Sequence, residues 1–147
     1  MVTTRCDRRS RVFESTAAAR IVVAEIRKRD VEKVCDNLCF VVMPDHIHWM
    51  FQLLTNAELS RVVARTKGRA AFKINRALSR SGALWQDGFH DRAVRRDEVL
   101  ENLADYIIHN PVRAAIAATP GGYPHWWSRW HPRETAFRPE AALWEGL

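Results

Sequence analysis

The feature that most constrains this chain is LCFVVM, Leu38 to Met43, followed by Pro44-Asp45 and then HIHWMFQLL from His46. The first piece is continuously apolar and reads as a buried strand; the second alternates with period two. In the second piece His46, His48, Met50 and Gln52 share one face, while Ile47, Trp49, Phe51 and Leu53 share the other. A strand face built of four large apolar side chains fixes the register, because a one-residue slip would turn all of them outward. That face is the expected core side, and the opposite face is where two imidazoles stand together. Pro44 suggests an edge or bulged position, where side chains are often re-aimed.

The rest of the chain falls around this strand pair. Val2 to Thr4 reads as the stub of a strand, followed by an Arg-rich polar turn. Ser15 is placed to cap a helix running to about Val34. Thr55 and Glu58 have capping-box spacing, and good helix formers continue to about Arg80, with Ser81-Gly82 as the stop. A strand is expected near Phe89 to Val94. Asp97 is placed to cap EVLENLADYIIH, which should stop at Asn110-Pro111, and Pro111 can open a short helix, PVRAAIA. Residues from Thr119 onward, rich in Pro, Gly and Trp, read as an irregular tail. The order of strands and helices predicts an α+β sandwich of the ferredoxin-like type, an antiparallel sheet with helices packed on it. The expected division is one domain over 1–124 and a tail over 125–147.

At 147 residues the chain has room for one domain. Lys and Arg number 23 against 17 Asp and Glu, and the net charge of +6 favours a polyanionic partner, nucleic acid first. The three cysteines, Cys6, Cys35 and Cys39, form no C-x-x-C pair, so free thiols in a reducing cytosol are expected. No apolar run approaches the roughly 20 residues of a membrane span, and MVTTRCDRRSRVF lacks the apolar core of a secretory signal.

Four groups of residues could carry chemistry. His46 and His48, at i and i+2 on a strand, point the same way and can share one metal ion; the plain alternative is a pair of ordinary strand histidines. Tyr106 and Asn110 lie about 40° apart on one helix, with Tyr106 at the edge of an apolar stripe and Asn110 ahead of a helix-breaking proline. Their plain alternative is a boundary tyrosine and a C-terminal cap. On the long middle helix Arg61, Arg65, Arg69, Lys73, Arg76 and Arg80 fall within about 120°, with Phe72 inside the arc. A single-sign stripe with no acidic partner at i+4 reads as a phosphate track on which Phe72 could stack a base, or else as a solvated basic face. Finally, Trp126, Trp127 and Trp130 alternate with His125, Arg129, His131 and Arg133; such a mixture could stack on bases with cation support, but the indoles are rather expected to pin the tail to the domain.

Three segments together resemble the small single-tyrosine HUH transposases, in particular the REP-associated tyrosine transposase group. MPDHIHWMF resembles the strand with two flanking histidines, GALWQDGFHDRAVR the W-Q-x-x-F-x-D-R segment, and YIIHNPVRAAI the nucleophile helix with its N-P-V-R-A signature. The resemblance runs from about Val2 to Pro124. It implies Mg²⁺ or Mn²⁺ held by His46, His48 and Asn110, and Tyr106 as the nucleophile on single-stranded DNA, giving a 5′-phosphotyrosine and a free 3′-hydroxyl. The substrate implied is a hairpin-forming repeat or element end, with Arg113 of the signature and the basic stripe as DNA contacts. It further implies a monomer or homodimer at the nucleoid of a prokaryotic cytoplasm; because the sequence opens inside the expected first strand, either the start is placed too far downstream or the sheet has a truncated edge strand. Two other readings stay open: a domesticated DNA-binding protein without turnover, and a zinc hydrolase using the two histidines, for which no H-E-x-x-H is present.

Overall fold

The computed structural model describes residues 1–54, 56–95 and 97–131. Along the chain run β1 (Val2–Arg5), α1 (Thr16–Val31), β2 (Cys35–Met43), β3 (His46–Leu53), α2 (Leu59–Ala77), β4 (His90–Asp91), α3 (Leu100–Ile108), α4 (Asn110–Arg113) and β5 (Trp126–Ser128). The strands form one antiparallel sheet in the order β4-β1-β3-β2-β5. The α+β class is as expected.

β2 and β3 make a hairpin about Pro44-Asp45, with Met43 opposite His46, Val41 opposite His48 and Cys39 opposite Met50. Residues directly opposite one another share a face. The histidine face is therefore also the face of Cys39, Val41 and Met43, and these pack with Met50 against Ala104, Ile107 and Ile108 of α3. On the other face Phe40, Val42, Ile47 and Trp49 pack against Ala18, Val22 and Ile26 of α1 and Val62, Ala70 and Ile74 of α2. The sheet is thus covered on both sides. Ile47 and Trp49 are core residues as expected, while Leu53, at the strand end, is 37% exposed. The Trp49 indole donates to Asn37 Oδ1 at 2.6 Å, which satisfies the one polar atom that this ring takes into the core.

Several element ends differ from expectation, each for a local reason. Ser15 caps α1, its Oγ accepting from the Ala18 N–H at 3.3 Å, but the helix stops at Val31, because Lys33 takes a left-handed backbone (φ 57). Thr55 lies outside the described residues; Glu58, at the N-cap of α2, makes no side-chain cap bond. α2 ends at Ala77, ahead of a left-handed Ser79 (φ 51), so Arg80 is off the helix. α3 begins at Leu100 behind Val99, and Asp97 does not cap it. The strand expected over Phe89 to Val94 shrinks to His90–Asp91. Gly88 (φ 72) turns the chain between Gln86, whose N–H donates to Arg5, and His90, so the run alongside β1 is broken.

Two larger corrections concern the sheet edges. β1 is not a truncated edge strand but lies between β4 and β3. The segment expected to be an irregular tail instead supplies β5, paired with β2. The reason is hydrophobic: Trp126 is fully buried against the α3 side and donates its indole N–H to the Pro120 carbonyl at 2.8 Å. Trp127 stacks on Phe40 with Arg27 over its ring, so the indoles do pin this segment. Arg133 lies outside the described residues.

Candidate functional site

His46 and His48 stand side by side on β3, their rings edge to face at 4.9 Å. Each is held through Nδ1. His46 Nδ1 is 2.6 Å from Asp45 Oδ1, and Asp45 Oδ2 accepts from Arg9 Nε at 2.9 Å. His48 Nδ1 is 2.9 Å from Thr3 Oγ1, a bond the β1–β3 register creates by setting Thr3 opposite His48. Both rings are therefore oriented through one nitrogen, which leaves Nε2 as the coordinating atom of each. Burial, then the charges of His46, Arg5 and Arg113, push the His48 imidazole down to about 4. It is neutral at pH 7 and keeps the lone pair that a metal needs. Burial pushes the Asp45 carboxyl up, but the bonds from His46 and Arg9 outweigh this and hold it below the usual range. It is an anion beside His46.

Tyr106 is on α3, the helix packed on the histidine face of the sheet, and is 59% exposed. After Ile108 the helix breaks. Pro111 has no N–H to give the Ile107 carbonyl, and the Asn110 side-chain amide donates to that carbonyl instead, at 2.9 Å. Its amide nitrogen thus engaged, Asn110 has a carbonyl oxygen to offer a cation. Arg113 of α4 lies over the Tyr106 ring, its Cζ 3.7 Å from the centroid, and donates from Nη2 to the Tyr106 carbonyl at 2.6 Å.

Among the described residues no three or more His, Cys, Asp or Glu side chains gather as metal ligands. The two imidazoles stand close enough to share a cation, and its remaining positions would fall to oxygen ligands, such as an amide oxygen, water or substrate. Imidazoles alone suit zinc, but a neutral, oxygen-completed and open set fits Mg²⁺ or Mn²⁺ bound together with a phosphate.

The basic stripe is placed differently. α2 packs on the face of the sheet opposite the histidines, and the middle of its stripe is turned to α1. Arg69 and Lys73 pair with the fully buried Glu25, and Arg65 reaches Glu32 at 3.1 Å. The acidic partners missing from α2 itself come from α1, which removes the argument for an unpaired phosphate track at these three positions. Arg61 pairs with Glu58. Arg80 binds Asn75 Oδ1 and the Ala83 carbonyl, closing the loop after the helix. Phe72, 67% exposed, and Arg76 stay on the surface. Sequence reasoning missed Thr3, Arg9 and Asp45. Asp45, next to His46, carried a local signal; Thr3 and Arg9 carried none.

A two-histidine strand under a helix bearing an exposed tyrosine defines a class of site, and comparison with known proteins gives it a family. The profile of the family described as Transposase IS200 like matches residues 1–110, and the chain belongs to that family. A protein of Haemophilus influenzae (strain ATCC 51907 / DSM 11121 / KW20 / Rd) described as a REP-associated tyrosine transposase is 30% identical over 100 residues, 61% of this chain. The match spans 57% of that protein's own length. A solved structure of a REP-associated tyrosine transposase bound to a REP hairpin has the same fold, with a TM-score of 0.68 at 23% identity, over 85% of this chain and 73% of that one.

Proposed function

We propose that this protein cleaves and rejoins single-stranded DNA at hairpin-forming sequences, with Tyr106 as the nucleophile. The observation that supports the reading is that α3 covers the very face of the sheet on which His46 and His48 stand. The Tyr106 oxygen would attack a backbone phosphorus. The new bond is Tyr–O–P, the broken bond is P–O3′, the phenol gives up its proton and the leaving O3′ gains one. The product is a 5′-phosphotyrosine and a 3′-hydroxyl, and the reverse step rejoins strands without an energy source. A phenol ordinarily holds its proton at neutral pH, so that proton must leave during the attack.

His46, His48 and Asn110 would hold Mg²⁺ or Mn²⁺, which when bound stabilises charge on a non-bridging phosphate oxygen. Asp45 and Thr3 keep the two imidazoles in the ligating orientation, and burial keeps His48 unprotonated. Arg113, Phe72 and Arg76 are exposed candidates for DNA contact. The substrate class rests on the hairpin carried by the structural neighbour and on the positive net charge.

The test is incubation of the whole chain with labelled single strands from the DNA flanking its gene, with Mn²⁺, followed by a denaturing gel. A shifted covalent band that disappears in Tyr106→Phe, with DNA binding retained, is the expected result. A band that persists in the Phe variant removes Tyr106 as nucleophile; binding with no band in the wild type favours a DNA-binding protein without turnover.

A further inference from the structure

An exposed tyrosine on a helix surface ordinarily exchanges rotamers within nanoseconds. Tyr106 is not left to do so. The guanidinium of Arg113 covers one face of its ring at contact distance, and the same guanidinium is tied by Nη2 to the Tyr106 carbonyl. The arginine is thus anchored to the backbone of the residue whose ring it covers.

The break at Asn110-Pro111 makes this possible. A continuous helix would carry residue 113 onward along the axis of α3. Instead the helix is interrupted at His109, and two side chains of α4 take up carbonyls at the end of α3, Asn110 at Ile107 and Arg113 at Tyr106. The Arg113 charge is also felt at His48. With one nitrogen committed to the carbonyl, Nε and Nη1 still carry N–H donors that a phosphate oxygen can accept.

We infer that Arg113 is a positioning residue for strand cleavage: it fixes the Tyr106 ring by stacking on it and presents its remaining donors to the phosphate that the phenol attacks. The inference rests on the cleavage reading above. A guanidinium suits this task because it is planar, stacks on an aromatic face and offers phosphate a fixed fork of N–H donors; a lysine ammonium is a compact point charge without the planar stack or the fixed fork.

The experiment uses the full chain and compares wild type, Arg113→Ala, Arg113→Lys and Tyr106→Phe on single strands from the flanking DNA with Mn²⁺. Single-turnover adduct formation at saturating DNA, DNA affinity and thermal melting are measured for each. Misplacing a reacting group by about 1 Å costs about 100-fold in rate, and that is the expected loss in Arg113→Ala, with affinity changed less than about 5-fold. Arg113→Lys should recover little, while added guanidinium ion should restore a measurable part of the Arg113→Ala rate, as a purely structural role would not. In ring-labelled protein, which has two tyrosines, the Tyr106 NMR signals should move toward averaged values in Arg113→Ala while those of Tyr123 stay in place. An Arg113→Ala rate equal to wild type, or full recovery by Lys, overturns the inference. Unmoved Tyr106 ring signals overturn it too. No adduct in the wild type, by contrast, overturns the cleavage reading and takes this inference with it.

Discussion

At the scale of single residues the two histidines are not equivalent. His46 has a carboxylate on its Nδ1, backed by an arginine, whereas His48 has a hydroxyl. A carboxylate partner raises the basicity of an imidazole ligand and fixes its tautomer; a hydroxyl does less. Asp45→Asn is therefore expected to weaken Mn²⁺ binding about 10–100-fold, read by calorimetric or spin-resonance titration, and Thr3→Val to weaken it less. Equal effects would mean that the asymmetry has no consequence. The histidines themselves were legible in the sequence because alternation fixes which side chains share a strand face. Asp45 was visible but mute, since adjacency in sequence does not say whether a side chain turns back on its neighbour. Thr3 was invisible, because its partner is 45 residues away and only strand pairing brings them together.

Among the elements, the α1–α2 contact differs most from what its sequence suggests. Glu25 is wholly buried and is reached by Lys28, Arg29, Arg69 and Lys73. Arg29 is also wholly buried and has Glu25 and Glu32 as its ionic partners. Removing one member of such a buried set leaves the others uncompensated, so Glu25→Gln should cost about 3 kcal/mol in urea unfolding at pH 7. Burial pushes the Glu25 carboxyl up, but Lys73 and Lys28 outweigh this and bring it below its ordinary value of 4.5. The unfolded chain then takes up this proton first as pH falls. The stabilisation is complete above about 4.5 and is lost as pH drops through the lower value of the folded state, and Glu25→Gln should flatten that acid limb. An unchanged acid limb would show that Glu25 is not its source. A helical wheel of α2 could find its basic stripe, but a wheel holds one helix and cannot show that another supplies the acids. Arg65→Ala is accordingly expected to change DNA affinity less than about 3-fold, measured by anisotropy; a larger loss would return this position to the DNA contacts.

For the whole molecule, the sheet is closed on one side by a strand that the sequence read as tail. Trp126→Ala would empty a fully buried indole site between β5 and α3 and should cost about 3–5 kcal/mol, seen as a lowered melting temperature. Because α3 packs on the sheet of its own chain, attack in cis is the expected arrangement. Mixing Tyr106→Phe with His48→Ala should then restore no adduct, whereas restored activity would require tyrosine exchange between copies. The sequence by itself determined the strand pair, the shared face of His46 and His48, the break at Pro111 and the positive charge, because each follows from local periodicity, backbone chemistry or composition. The tertiary structure alone decided that α3 lies on the histidine side of the sheet, that α2 lies on the other with part of its charge matched by α1, and that residues 126–128 complete the sheet. Those outcomes depend on which distant surfaces bury one another, and hydrophobic burial is non-directional: it demands a cover for each apolar face without naming the segment that provides it.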